Sequence, residues 1–112
     1  MKKISELNIL GQPFSIKWKT KADMSGNYGL MDGVSREIHV QSTAGHFIES
    51  TLLHEAIHAI LYVTGMGDAI GLTEKKEEGL CLSLENGLVP IIQQMVDAGA
   101  FAKKKPTKKE IK

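Results

Sequence analysis

The spacing of apolar positions divides the chain into an extended first third and a helical remainder. At residues 14–18 the sequence FSIKW alternates apolar and polar side chains, the period of two expected of a half-buried strand, and Pro13 marks its start. The stretch NYGLMDGVSREIHVQS reads as a hairpin: a strand over residues 28–31, a turn around Asp32 and Gly33, then a strand over residues 37–41. Ile38 and Val40 fall on one face of that second strand and His39 on the other. Ser42, Thr43 and Gly45 then offer the capping chemistry of a helix start. Over residues 46–64 the apolar side chains Phe47, Ile48, Leu52, Leu53, Ala56, Ile57, Ile60, Leu61 and Val63 cover most of a helix circumference, which predicts a central, buried helix. The GMG at residues 65–67 supplies its stop. A second long helix is predicted from near Thr73, with Lys76 where a capping box would place a glutamate. Leu80, Leu84, Leu88, Ile91 and Met95 follow at helical spacing, and Pro90 is expected to bend or interrupt it. The fold class is therefore α+β: a small antiparallel or mixed sheet of about three strands, packed on a central helix and a second long helix.

Length and charge narrow this further. A chain of 112 residues, 42% of them hydrophobic, suits one domain over residues 1–102. Residues 103–112 hold six lysines against one glutamate, a balance of +5, which leaves eight basic and twelve acidic residues, −4, on residues 1–102. This lysine-rich tail, with Pro106 and hardly an apolar residue, is expected to be disordered. It lacks the arginines and aromatics of a nucleic-acid arm, so nucleic acid is not expected as a partner. No apolar run approaches the ~18 residues of a membrane span. Ser5, Glu6 and Asn8 interrupt what would be the apolar core of a signal peptide, so a cytoplasmic protein is expected, with no membrane partner. Cys81 is the single cysteine, which excludes an intrachain disulfide and a cysteine-based zinc cluster.

Candidate chemistry is concentrated in TLLHEAIHAIL, residues 51–61, where three titratable side chains interrupt an apolar helix. His54 and His58 are four residues apart, so at ~100° and ~1.5 Å per residue they lie about 40° apart around the helix and about 6 Å along it. Both imidazoles can reach one ion. Glu55 projects from the same side without being collinear with them, where it can act on water instead of on the metal. That is the His-Glu-x-x-His arrangement of two ligands and a general base. A zinc site needs a third protein ligand, and no histidine follows His58. The remaining sources are Glu74, Glu77, Glu78 and Glu85 on the second helix, or Asp68 before it.

TLLHEAIHAIL, followed some twenty residues later by EEGLCLSLENGL, resembles the small zincin-fold metallopeptidases of the ImmA/IrrE type, in particular the short versions found in phages and prophages. The resemblance extends upstream through GLMDGVSREIHVQS and covers about residues 27–95. It implies a third ligand at Glu78, with Glu77 as the alternative, Cys81 at a small apolar position, and Leu84 and Leu88 continuing the packed face. It implies one Zn²⁺ per chain held by His54, His58 and Glu78, and Glu55 accepting a proton from water and passing it to the leaving amine. The substrate would be a protein or peptide in extended form, paired along the strand at residues 37–41, in a host bacterium's cytoplasm. A phage or bacterial regulator is the expected kind of target. The chain has no His, Tyr or Arg after Glu78 to stabilise an oxyanion, which leaves Tyr28, Arg36, His39 and His46 as upstream candidates. Tyr62, one turn beyond His58, could hydrogen-bond near the site but is expected to be a packed core tyrosine. The small size implies that a separate protein supplies recognition or activation. The alternative is a non-catalytic zinc-binding or interaction module acting through a partner.

Overall fold

The computed structural model describes residues 3–42 and 48–101. Its elements run β1 (Glu6–Ile9), β2 (Gln12–Lys19), β3 (Gly29–Asp32), β4 (Glu37–Gln41), α1 (Ile48–Thr64), α2 (Met66–Ala69) and α3 (Glu74–Asp97). The alternating FSIKW stretch forms most of β2, and the two strands of the expected hairpin are β3 and β4, antiparallel with Asp32 opposite Glu37. The sheet has four strands in the order β1-β2-β4-β3, one more than the sequence pattern predicted. The added strand, β1, has only Leu7 and Ile9 as apolar residues and becomes a strand by pairing with β2. Leu10 and Gly11 make the two-residue connection, both at positive φ, and Asn8 Oδ1 accepts the Gly11 N–H at 2.7 Å. Leucine is strained in that conformation and glycine is not, so Gly11 is the residue that lets the hairpin close.

β4 lies inside the sheet, parallel to β2 and antiparallel to β3. The expectation that residues 37–41 form an edge open to a peptide is therefore corrected. Both lateral hydrogen-bonding sides of β4 are used, and the edge beside the helices is β3. Ser42, read as part of a helix cap, instead prolongs the β2–β4 pairing, donating to Lys19 O through both its backbone N–H (2.8 Å) and its hydroxyl (3.1 Å). Thr43, Gly45, His46 and Phe47 lie outside the described residues, as does the lysine tail.

The core lies between one face of the sheet and one stripe of α1. Phe14, Ile16, Ile38 and Val40 pack with Ile9 against Ala56 and Ala59, with Leu52, Val63, Met31 and Trp18 around them. Two alanines at the centre of the stripe let the helix axis approach the sheet closely, and the β-branched strand residues fill the gap. Trp18 closes one edge, its indole N–H donating to Ile4 O at 2.8 Å. α1 is less enclosed than its apolar sequence predicts, since Ile60 and Tyr62 are about half exposed. The sheet covers one side of the helix and α3 another, and the remaining surface meets water. Gly65, in the left-handed conformation, ends α1 as expected, and Thr73 caps α3 by accepting the Lys76 N–H. α3 runs through Pro90 as one helix, without the interruption that the sequence allowed there, and packs mainly on α1. Among the described residues no helix is long and apolar enough to cross a membrane.

Candidate metal centre

His54 and His58 lie on the side of α1 turned toward α3, their ring centroids 5.0 Å apart. The first turns of α3 bring three glutamates to them, and each takes a different position. Glu78 spans the pair, with Oε1 2.5 Å from His54 Nε2 and Oε2 3.0 Å from His58 Nε2. Glu85, two turns further along α3, accepts from His54 Nδ1 at 2.8 Å. Glu77 accepts from His58 Nδ1 at 2.6 Å. Each imidazole is thus held by one carboxylate on its Nδ1 and directs its Nε2 toward Glu78. This is how ligand histidines are commonly oriented, the second nitrogen being fixed by a carboxylate behind it. His54, His58 and Glu78 offer ligand atoms that all lie within 4.8 Å of one another, so the cluster can hold a metal ion. Between the two neighbours that the sequence left open, Glu78 faces both Nε2 atoms, while Glu77 takes the far side of His58.

Glu55 is 8% exposed and lies beside the histidines, on the stripe of α1 that meets β3. Burial raises its pKa, against the opposing pull of His58 and His54. Burial works the other way on His54, but the Glu85 hydrogen bond and the charges of Glu78 and Glu55 outweigh it, leaving the imidazole more basic than usual. Cys81 is fully buried under the site, and burial, with Glu77, Glu78 and Glu55 nearby, pushes its thiol up to about 12. It stays protonated and acts as a small apolar spacer between the helices.

β3 forms the opposite wall, and its closeness depends on Gly29. A Cβ there would stand 2.6 Å from Thr51 Cγ2 and 2.9 Å from Glu55 Cγ and Oε2. Four residues on, a Cβ at Gly33 would stand 2.5 Å from the Tyr62 ring. The two glycines let the strand lie directly on the Thr51–Glu55–Tyr62 side of α1. The sequence pattern marks Gly33 only as a turn residue and does not single out Gly29, although a glycine inside a strand is the known signal of close backbone approach. Between β3 and α3 opens a cleft of about 770 Å³, whose walls carry Tyr28, Gly29, Thr51, His54, Glu55, His58 and the α3 glutamates.

The proposed oxyanion candidates separate in space. Tyr28 lines the cleft. His39 does not: it alternates with Ile38 and Val40, lies on the sheet face turned away from α1, and bonds Glu37 at 2.8 Å. Arg36 sits at positive φ in the β3–β4 turn, and Tyr62 covers Gly33; neither lines the cleft. His46 lies outside the described residues. Asp68, offered by the sequence as a ligand source, is exposed on α2 and takes no part in the cluster. No protein-family model, curated protein or solved structure matches the chain.

Proposed function

We propose that the protein is a zinc-dependent endopeptidase of zincin-like architecture, acting on an extended segment of a protein substrate. The observation that carries this reading is the convergence of both Nε2 atoms on Glu78, each histidine fixed from behind, with a buried Glu55 in the wall of an open cleft. Two imidazoles and one carboxylate are the donor set of a catalytic zinc site of the kind that keeps its fourth position for water. Zinc bound there would polarise a carbonyl and acidify water. Glu55, not a member of the ligand set and made more basic by burial, would take the proton from water and return it to the leaving nitrogen. Glu85 and Glu77 would hold the imidazoles in place. Tyr28 is the cleft residue whose hydroxyl could steady the developing oxyanion. The resemblance of TLLHEAIHAIL and EEGLCLSLENGL to ImmA/IrrE-type peptidases supports the same assignment and suggests a regulator as target, with a separate protein assisting recognition.

A second reading, a zinc-binding module without catalysis, is favoured by the lack of any arginine or lysine among the cleft-lining residues. One experiment separates the two. Purified protein is assayed for metal by mass spectrometry, as wild type, His54→Ala, Glu78→Ala and Glu55→Gln, with folding checked by circular dichroism. Each is then incubated with a denatured bacterial proteome, and new N-termini are counted. The peptidase reading expects about one zinc per chain in wild type and Glu55→Gln, none in the other two, and new termini from wild type alone. Zinc without new termini supports the binding module. A folded wild type that refuses zinc excludes both.

A further inference from the structure

α3 outruns the helix it packs on. At ~1.5 Å per residue its 24 residues span about 36 Å, against about 25 Å for the 17 residues of α1. Its first half is committed to α1, through Cys81 and the glutamates on the two histidines. Its second half is amphipathic but largely uncovered. Leu84, Leu88, Ile91 and Met95 recur at spacings of four, three and four residues, the heptad seam of a coiled coil. Asn86, Pro90, Gln93 and Asp97 occupy the opposite side. Leu84, Ile91 and Met95 are 38%, 51% and 41% exposed, and Leu88 between them is partly buried.

We propose that this second half of α3 is a self-association surface, pairing antiparallel with the same segment of a second copy of the chain. Three observations select that occupant. The seam is self-complementary under a two-fold axis: with the axis near Val89, Leu84 of each copy meets Met95 of the other, and Leu88 meets Ile91. From Leu84 to Met95 the one charged residue is Glu85, which is held by His54, so the seam itself carries no charge to repel its own copy or to select a different helix. The antiparallel sense follows from the tail. Parallel pairing would set two segments of charge +5 side by side, whereas antiparallel pairing sends them to opposite ends, toward the Glu74, Glu77 and Glu78 end of the partner copy. Side chains of this size at these exposures offer roughly 650 Å² for the pair, well below the ~1,600 Å² of a standard stable interface. The association is therefore expected to be weak and concentration-dependent. It does not depend on the metal reading.

Sedimentation equilibrium of the full chain tests it. Wild type should rise from 12.3 kDa toward twice that mass as concentration increases into the high micromolar range. Ile91→Glu combined with Met95→Glu should stay at 12.3 kDa, with the same circular dichroism and the same metal content. A wild type that remains at one chain's mass throughout overturns the proposal and leaves the face to a different partner, as does a dimer that the two glutamates fail to dissociate. Orientation is read by mild oxidation, with wild type as the control for Cys81. Leu84→Cys together with Met95→Cys should give a disulfide-linked dimer, and Leu84→Cys alone should not. Cross-linking of Leu84→Cys alone would show parallel pairing and overturn the antiparallel arrangement.

Discussion

The two sides of α1 are built on opposite physical principles. On the side facing the sheet, Ala56 and Ala59 rest on Phe14, Ile38 and Val40, all buried and apolar, and stability comes from removing that surface from water. On the side facing α3 and β3, His54, Glu55 and His58 meet Glu77, Glu78 and Glu85, a cluster of two imidazoles and four carboxylates partly withdrawn from solvent. Gathering four carboxylates costs stability unless protons or a cation compensate them. The sheet side can therefore hold the helix whether or not a metal is bound. The α3 side offers donors that could hold a cation, and is least favourable when nothing compensates its carboxylates.

The sharpest way to break this contrast is to empty the sheet side. Phe14→Ala should cost about 3–5 kcal/mol in chemical denaturation. A small loss there would mean that the α3 side carries the fold. Metal should act only on the other side. At a zinc concentration about 100 times its dissociation constant, the midpoint of denaturation should reflect a gain of ~2.7 kcal/mol, absent in His54→Ala. The sign of the pH dependence should also invert. His54 and Glu55 hold protons more tightly in the folded chain, so in chelator their contribution is complete below the ordinary values of 6.5 and 4.5 and is lost as pH rises through the raised ones. Chelated protein should thus lose stability as pH rises from about 5 to 8, and zinc-loaded protein should gain it, because the ligands must shed protons to bind. Equal slopes in the two states would remove the metal from the account. Gly29→Ala presses a methyl group into Glu55 and Thr51, and should cost about 1–3 kcal/mol while leaving zinc content near one per chain. Any cleavage activity should fall with it, since the disturbed side chain is the proposed base and not a ligand. Thr73→Ala removes the cap of α3 and should cost ~1 kcal/mol, the smallest effect, with no change at the sheet.

What the sequence disclosed follows from what is local. The four-residue spacing of His54 and His58 on a helix, the alternation at residues 14–18, and the turn chemistry of the β3–β4 hairpin all act over one or two turns of chain. Each is found where the pattern put it. β1 was not legible, because two apolar residues make a strand only when β2 is there to pair with. The position of β4 was not legible either. A strand's neighbours are set by how the chain between β2 and β3 crosses the sheet, and period-two alternation is the same for an edge strand and an inner one.

The donor set shows the same division in one place. By itself the sequence determined that two imidazoles and a carboxylate would share one side of α1, and that an acidic stretch would open α3, since helical geometry follows from spacing alone. Only the tertiary structure decided that Glu78 spans both Nε2 atoms, that Glu77 and Glu85 stand behind the rings, that Gly29 closes the wall beside Glu55, and that His39 faces the other way. Adjacent residues on a helix point about 100° apart, and which of them meets a neighbouring element depends on the rotation and sliding of α3 against α1. That choice is made by packing around Cys81 between the two helices, among residues far apart in the chain.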